Sequence, residues 1–154
     1  MSAATKPDIR PGEIAVPLPG GYDAGLYFIG VVRTPWPTRA ECPRRGDPVE
    51  GPVCRIEIAA PWREALADIG RHDRLQILYW MHLARRDLIR QSPKSDGNTV
   101  GTFALRSPVR PNPIASSQVS LVEVLPTALL VRGLDCVDGT PVIDIKPERC
   151  PHAP

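Results

Sequence analysis

The residues best suited to chemistry lie in one stretch, GTFALRSPVRPNPIASS at positions 101–117, where Pro108, Pro111 and Pro113 alternate with Arg106, Arg110 and Asn112. Proline fixes φ and removes a backbone donor, so a turn built this way costs little entropy to order. It can hold two guanidinium groups and an amide in set directions, the donors that a carboxylate or phosphate accepts. The same residue types also describe a rigid structural turn whose arginines point to water, and composition alone does not separate the two. The surrounding chain is locally basic. Between 85 and 110, Arg85, Arg86, Arg90, Lys94, Arg106 and Arg110 stand against only Asp87 and Asp96, whereas the whole chain carries +2. Such a patch suits an anionic partner, nucleic acid included, and equally a solvated loop.

Other candidate groups carry weaker patterns. Asp138-Gly139 is a turn signal, and Asp135 and Asp144 flank it closely enough to face the same site. His82 closes an apolar run, where a single histidine is more commonly a satisfied structural residue than a proton acceptor, and His72 and His152 belong to no motif. Cys42, Cys54, Cys136 and Cys150 lack C-x-x-C spacing, so neither a zinc site nor a disulfide is expected. Trp36, Trp62 and Trp80 read as core or interface, with Trp36, in a loop after Thr34-Pro35, the one placed to stack on a base. No glycine-rich turn follows the first strand, so a Rossmann-type nucleotide site is excluded.

The elements that position these groups are mostly strands. LYFIGVVR (26–33) is β-branched and aromatic, and VCRIEIA (53–59) alternates Cys54, Ile56 and Ile58 with Arg55 and Glu57, the signature of a strand with one wet face. LQILYWMH (75–82) suits a central strand, and 101–106, 117–125, 129–134 and 142–146 complete a set of seven. One helix is legible, opened by Pro61, striped by Trp62, Ala65, Leu66 and Ile69, and ended at Gly70. The polar segment 84–98 reads as loop or short helix. Strand following strand without helical crossovers predicts a mainly β fold, a small antiparallel barrel of about seven strands with one short helix.

A chain of 154 residues accommodates one well-buried domain. Residues 1–24, with four prolines and no period, read as an irregular Pro/Gly-rich arm before a barrel domain over 25–150. No apolar run approaches the roughly 20 residues of a bilayer-crossing helix, and the N-terminus has no basic, apolar and small-residue succession of a secretion signal. No membrane partner and a cytoplasmic address are expected.

Read together, FIGVVRTPW, GTFALRSPVRPNPI, SQVSLVEV and LLVRGLDCVDGTPVIDIKP resemble the TrmO, or YaeB-like, family of tRNA adenosine methyltransferases. That family's pattern is close to G-x-F-A-T-R-S-P-x-R-P-N-P-I-G-x-S followed by L-D-x-x-D-G-T-P-x-x-D-I-K-P. The resemblance covers about residues 26–148 in order. It departs from the pattern at Leu105, Ala115, Glu148 and the loop PRRGD at 43–47. The resemblance implies a non-Rossmann barrel that uses S-adenosyl-L-methionine without metal, acts as a homodimer, and methylates N6 of threonylcarbamoyladenosine beside the anticodon of tRNA. It further implies that Arg45, Gly46, Asp47, His82, Arg85, Arg106, Ser116, Leu134 and Asp135 hold the cofactor, and that Arg110, Asn112 and Asp138 shape the substrate site in contact with the anticodon arm. Arginine and aspartate suit the carboxylate and ammonium of the cofactor's methionine end. Two other readings stay open: an enzyme of the same fold with another acceptor, and a non-catalytic domain that binds the cofactor or an RNA.

Overall fold

The alternation seen in residues 54–58 becomes an inward-facing stripe: Cys54, Ile56 and Ile58 are buried and Arg55 and Glu57 half-exposed. A computed structural model describes residues 9–149 of the chain. Among these residues the strands are β1 (Ile14–Ala15), β2 (Gly30–Arg33), β3 (Cys54–Ile58), β4 (Arg74–Trp80), β5 (Leu88–Gln91), β6 (Val100–Gly101), β7 (Ile114–Leu125), β8 (Ala128–Arg132) and β9 (Pro141–Pro147). The described residues form two compact units, one of 26–81 with 115–149 and the other of 9–25 with 82–114.

The first unit is a closed barrel in the order β2-β3-β8-β7-β4-β9. The β2–β3, β3–β8, β7–β8, β4–β9 and β2–β9 ladders are antiparallel. The mainly antiparallel barrel expected from the strand pattern is therefore present, and it closes on six strands. Its interior is filled by Val32, Ile56, Leu75, Ile77, Val119, Leu129, Val131 and Val142, all without solvent exposure. Burying one such side chain contributes about 1.5–3 kcal/mol, so this layer dominates the unit's stability. Trp36 and Trp62 pack against the layer, whereas Trp80, on the other face of β4, is half-buried beside half-exposed Phe28 with ring centroids 6.4 Å apart.

The stretch expected as one helix is short 3-10 helix in two pieces, Ala60–Leu66 and Ile69–Arg71. Asp68 interrupts it in the left-handed region at φ 65°, its carboxylate 2.9 Å from the Arg71 guanidinium. Trp62, Leu66 and Ile69 do pack on the barrel core, whereas Ala65, expected in the same stripe, is exposed.

The second unit contains the sheet β1-β5-β6 and is held differently. Asp87, Gln91, Ser92 and Thr102 are buried in it together with Leu88 and Pro113. Arg85 grips Asp87 through two bonds of 2.8 and 3.1 Å. Glu13 accepts the Ser92 amide at 3.0 Å, and the Arg10 guanidinium donates to the Ser92 carbonyl at 3.0 Å. Two expectations fail here. Leu88–Gln91, in the segment read as loop or short helix, is a strand because β1 and β6 flank it on both edges. Of residues 101–106 only Gly101 is in a strand, as the end of β6: the chain then turns at a 3-10 segment, Thr102–Ala104, where the Thr102 hydroxyl donates to the Leu88 carbonyl at 2.7 Å and accepts from Gln91 Nε2 at 2.9 Å. A buried side chain that satisfies backbone in this way competes with a ladder.

Thr102→Val keeps the shape and deletes both bonds, leaving one proton of the Gln91 amide, whose other bond is to the Val109 carbonyl at 2.6 Å, and the Leu88 carbonyl without their Thr102 partner. Leaving such groups unsatisfied costs about 1–3 kcal/mol. The substitution is expected to speed amide hydrogen exchange across β5 by roughly tenfold or more, since 1.4 kcal/mol is a factor of ten. Unchanged exchange there would show that the polar interior does not hold the unit.

Candidate functional site

In the barrel unit the structure draws two separate sequence segments into contact. The loop carrying Arg45, Gly46 and Asp47 lies directly on the turn after β8, because a Cβ on Gly46 would overlap the carbonyl oxygen of Gly133. Gly133 itself has φ +117°, and its own Cβ position would press the Gln118 carbonyl at 2.9 Å, so both strands of this crossing need glycine. Asp47 shapes the loop: one carboxylate oxygen accepts the amides of Val49 and Glu50 at 2.9 Å each, which lowers its pKa, and its carbonyl accepts the Gly51 amide at 3.0 Å. Arg45 is exposed and makes no hydrogen bond or ion pair among the described residues.

Past Gly133, the Leu134 side chain is buried in the core, so of this residue only the backbone is available to a ligand. Asp135 is half-buried. Its Oδ1 accepts the phenol of Tyr79 at 2.7 Å, and the same phenol lies 2.8 Å from the Ser117 hydroxyl. One residue earlier on β7, the Ser116 hydroxyl accepts from Gln76 Nε2 at 2.9 Å. Asp135 has no ion pair among the described residues. The nearby thiols are neutral: burial pushes Cys136 up to about 12, and burial followed by the charge of Asp135 raises Cys42. Asp138 is engaged as a turn former, accepting the Thr34 amide at 3.1 Å with the Arg33 guanidinium 3.9 Å away.

In the second unit the Pro-Arg turn is organised from within. Arg110 Nη1 donates to the carbonyls of Leu105 and Ser107 at 3.0 Å each, pinning the backbone on both sides of Arg106. Arg106 is exposed and makes no hydrogen bond or ion pair among the described residues. Asn112 accepts from Arg86 Nη2 at 3.1 Å, while Arg86 Nε donates to the Pro111 carbonyl at 2.6 Å and its guanidinium lies 5.2 Å from the Tyr22 ring centre. Arg85, expected as a cofactor ligand, is held by buried Asp87. His82 is exposed just past β4.

Three residues that the sequence reading left out stand in these constellations. Tyr79 and Ser117 support Asp135. Phe103, at 82% exposure, projects from the 3-10 segment that buried Thr102 anchors. A signal for Tyr79 existed: it continues the inward alternation of Leu75 and Ile77, and a hydroxyl at an inward barrel position requires a partner.

Among the described residues no group of three or more His, Cys, Asp or Glu side chains is arranged to hold a metal ion. The residues do fit a cationic amino-acid nucleoside in their donor set. A half-buried carboxylate without a counter-ion suits its ammonium, and a glycine crossing gives close backbone approach.

Comparison with known proteins agrees with this chemistry. The model of the tRNA-methyltransferase O N-terminal domain matches residues 31–149. A protein of Rhizobium radiobacter named "Probable S-adenosyl-L-methionine-binding protein VirR" is 50% identical over 141 residues, 92% of this chain and 80% of that protein. The tRNA (adenine(37)-N6)-methyltransferase of Escherichia coli K12 is 38% identical over 130 residues, 77% of this chain and 55% of that protein. The crystal structure of TrmO from Pseudomonas aeruginosa superimposes with a TM-score of 0.66 at 28% identity, covering 86% of this chain and 62% of that one. The chain thus spans less than two thirds of the length of these last two relatives. With the matched span running from β2 through β9 and taking in both the Pro-Arg turn and the Asp135 turn, the chain belongs to the TrmO family.

Proposed function

We propose that the protein is an S-adenosyl-L-methionine-dependent tRNA methyltransferase acting on N6 of the adenosine beside the anticodon. The observation that carries this reading is the glycine crossing, which places the 45–47 loop on the turn of Leu134 and Asp135, two of the segments the family uses for the cofactor. S-adenosyl-L-methionine supplies, when bound, a methyl group already activated on a sulfonium, so no metal is needed. The protein's work is then to hold the acceptor nitrogen in line with that methyl group, and positioning of this kind accounts for several kcal/mol of a barrier. Asp135 receives the ammonium of the methionine end, exposed Arg45 is the cation for its carboxylate, and Gly46, Ser116 and the Leu134 backbone border the rest. In the second unit, Arg106 offers an uncommitted guanidinium to an anionic group, and exposed Tyr22 and Phe103 offer faces to bases. Asp138 acts by shaping its turn in the barrel unit, and in the second unit Arg85 and Asn112 act by shaping their surroundings while His82 is a surface group. The same reading includes a homodimer, the anticodon arm as partner, and the cytoplasm as compartment.

The acceptor in this reading is threonylcarbamoyladenosine. Its carboxylate gives a basic site something that plain adenosine lacks. Arg110 is the favoured cation, since its two loop bonds use Nη1 alone, whereas Arg86 is spread over Pro111, Asn112 and Tyr22. An ionic hydrogen bond made only to the modified base discriminates by about 1.5–3 kcal/mol. tRNA purified from cells able to make the modification is expected to accept labelled methyl groups roughly tenfold or more faster than in vitro transcripts, with nucleoside mass spectrometry identifying the product. Equal labelling of both would show that the carboxylate is not read, and labelling of neither would point to another acceptor.

A further inference from the structure

The Tyr79 phenol is the one hydroxyl carried inward on β4, and its residue is only 2% exposed. It is aimed at Asp135 from the end of a strand whose ladder with β9 shifts register between Leu78 and Tyr79, a bulge of the kind that re-aims side chains. The hydrogen bonds around it have a definite direction. A phenol has a single proton, and an ionised carboxylate only accepts. Tyr79 therefore donates to Asp135 Oδ1, and the Ser117 hydroxyl must be the donor to the phenol oxygen. Burial, first, and the charge of Asp135, second, raise the phenol's pKa, so it stays a neutral donor and cannot serve as a base.

The chain ending at Asp135 is complete on one side only. Oδ1 is held, while no hydrogen bond or ion pair among the described residues reaches Oδ2. The other titratable groups around it, Cys42 and Cys136, are neutral thiols. A half-buried carboxylate oriented by a buried donor and lacking a cation is a site for an external one.

We infer that Tyr79 is a positioning residue, fixing Asp135 so that its second oxygen receives the α-ammonium group of the bound nucleoside amino acid. The inference rests on the cofactor reading above and deepens it to one atom pair. Three probes separate the ammonium from the rest of the ligand. S-adenosyl-L-methionine carries ammonium and sulfonium, S-adenosylhomocysteine the ammonium without the sulfonium, and the deamino analogue of S-adenosylhomocysteine neither, though it keeps the carboxylate.

Calorimetry and competitive displacement on the full chain are expected to show Tyr79→Phe weakening the first two ligands by roughly tenfold, the usual loss for a hydrogen bond to a charged group, and the third by less than about twofold. Ser117→Ala leaves the Tyr79–Asp135 bond and is expected to weaken the first two ligands less than Tyr79→Phe does. Asp135→Asn, which keeps the side-chain volume, should abolish the preference for S-adenosylhomocysteine over its deamino analogue, and it serves as the deciding measurement if Tyr79→Phe does not fold. Equal weakening of all three ligands by Tyr79→Phe would reduce Tyr79 to a structural residue. Weakening of S-adenosyl-L-methionine alone would place the sulfonium at Asp135 and overturn the assignment. Tight binding of all three by the wild type with no effect of Tyr79→Phe or Asp135→Asn would refute the positioning role and leave the cofactor reading standing. Failure of the wild type to bind any of them would remove both.

Discussion

Arg106→Ala is expected to lower methyl transfer by roughly tenfold to a few hundredfold while leaving the melting temperature within about a degree or two of wild type. Arg106 is exposed and makes no bond to its own chain among the described residues, so its removal costs the fold little, as is usual for surface substitutions within about ±0.5 kcal/mol. Its backbone is nonetheless fixed, because Arg110 holds the carbonyls on either side. An arginine presented in this way loses only side-chain entropy when it meets an anionic group, and a charge-assisted hydrogen bond contributes about 1.5–3 kcal/mol. Arg90→Ala is the matched control from the same unit. Its guanidinium is already engaged with the Thr99 hydroxyl and carbonyl at 3.0 Å each, and its loss should change turnover by less than about twofold. Equal loss of activity in the two variants would remove Arg106 from the site.

Gly46→Ala is expected to weaken cofactor binding by tenfold or more, through sterics alone. The added methyl would overlap a backbone oxygen, that of Gly133, which cannot rotate away as the end of a flexible side chain does. Overpacking of this kind typically costs about 1–3 kcal/mol and occasionally more. The cheapest relief is for the 45–47 loop to lift from the Leu134-Asp135 turn, which separates the two segments proposed to border the cofactor. Calorimetry should therefore show affinity falling by tenfold or more even if urea denaturation shows only a modest loss of stability. Gly25→Ala, with no atom within 4 Å of the added carbon, is the control and should bind as wild type. Normal binding by Gly46→Ala would mean that the loop and the turn need not touch for the cofactor to be held.

Local information was sufficient for the barrel strands, because one buried face imposes a period of two that the sequence displays directly. Cys54, Ile56 and Ile58, and Leu75, Ile77 and Tyr79, are inward as their alternation requires. The same information misled where a few long-range bonds outweighed it. Thr102 turns the chain by bonding to Leu88 and Gln91, residues 14 and 11 positions away, and β5 exists because β1 and β6 flank it. The helical stripe from Trp62 to Ile69 was too short to enforce a regular helix against Asp68 in its left-handed conformation.

The candidate site divides in the same way. By itself the sequence determined the residue types, the rigidity of the Pro-Arg turn and the family to which the motifs belong, since these depend on covalent geometry and order along the chain. The tertiary structure alone decided which of those residues are committed. Arg85 is bound to Asp87, Arg110 to its own loop and Asp138 to Thr34, while Arg45, Arg106 and one oxygen of Asp135 have no bonding partner among the described residues. A polar group's availability is set by what lies within about 3 Å of it, and the partners that settle it here are as far apart in sequence as Tyr79 and Asp135.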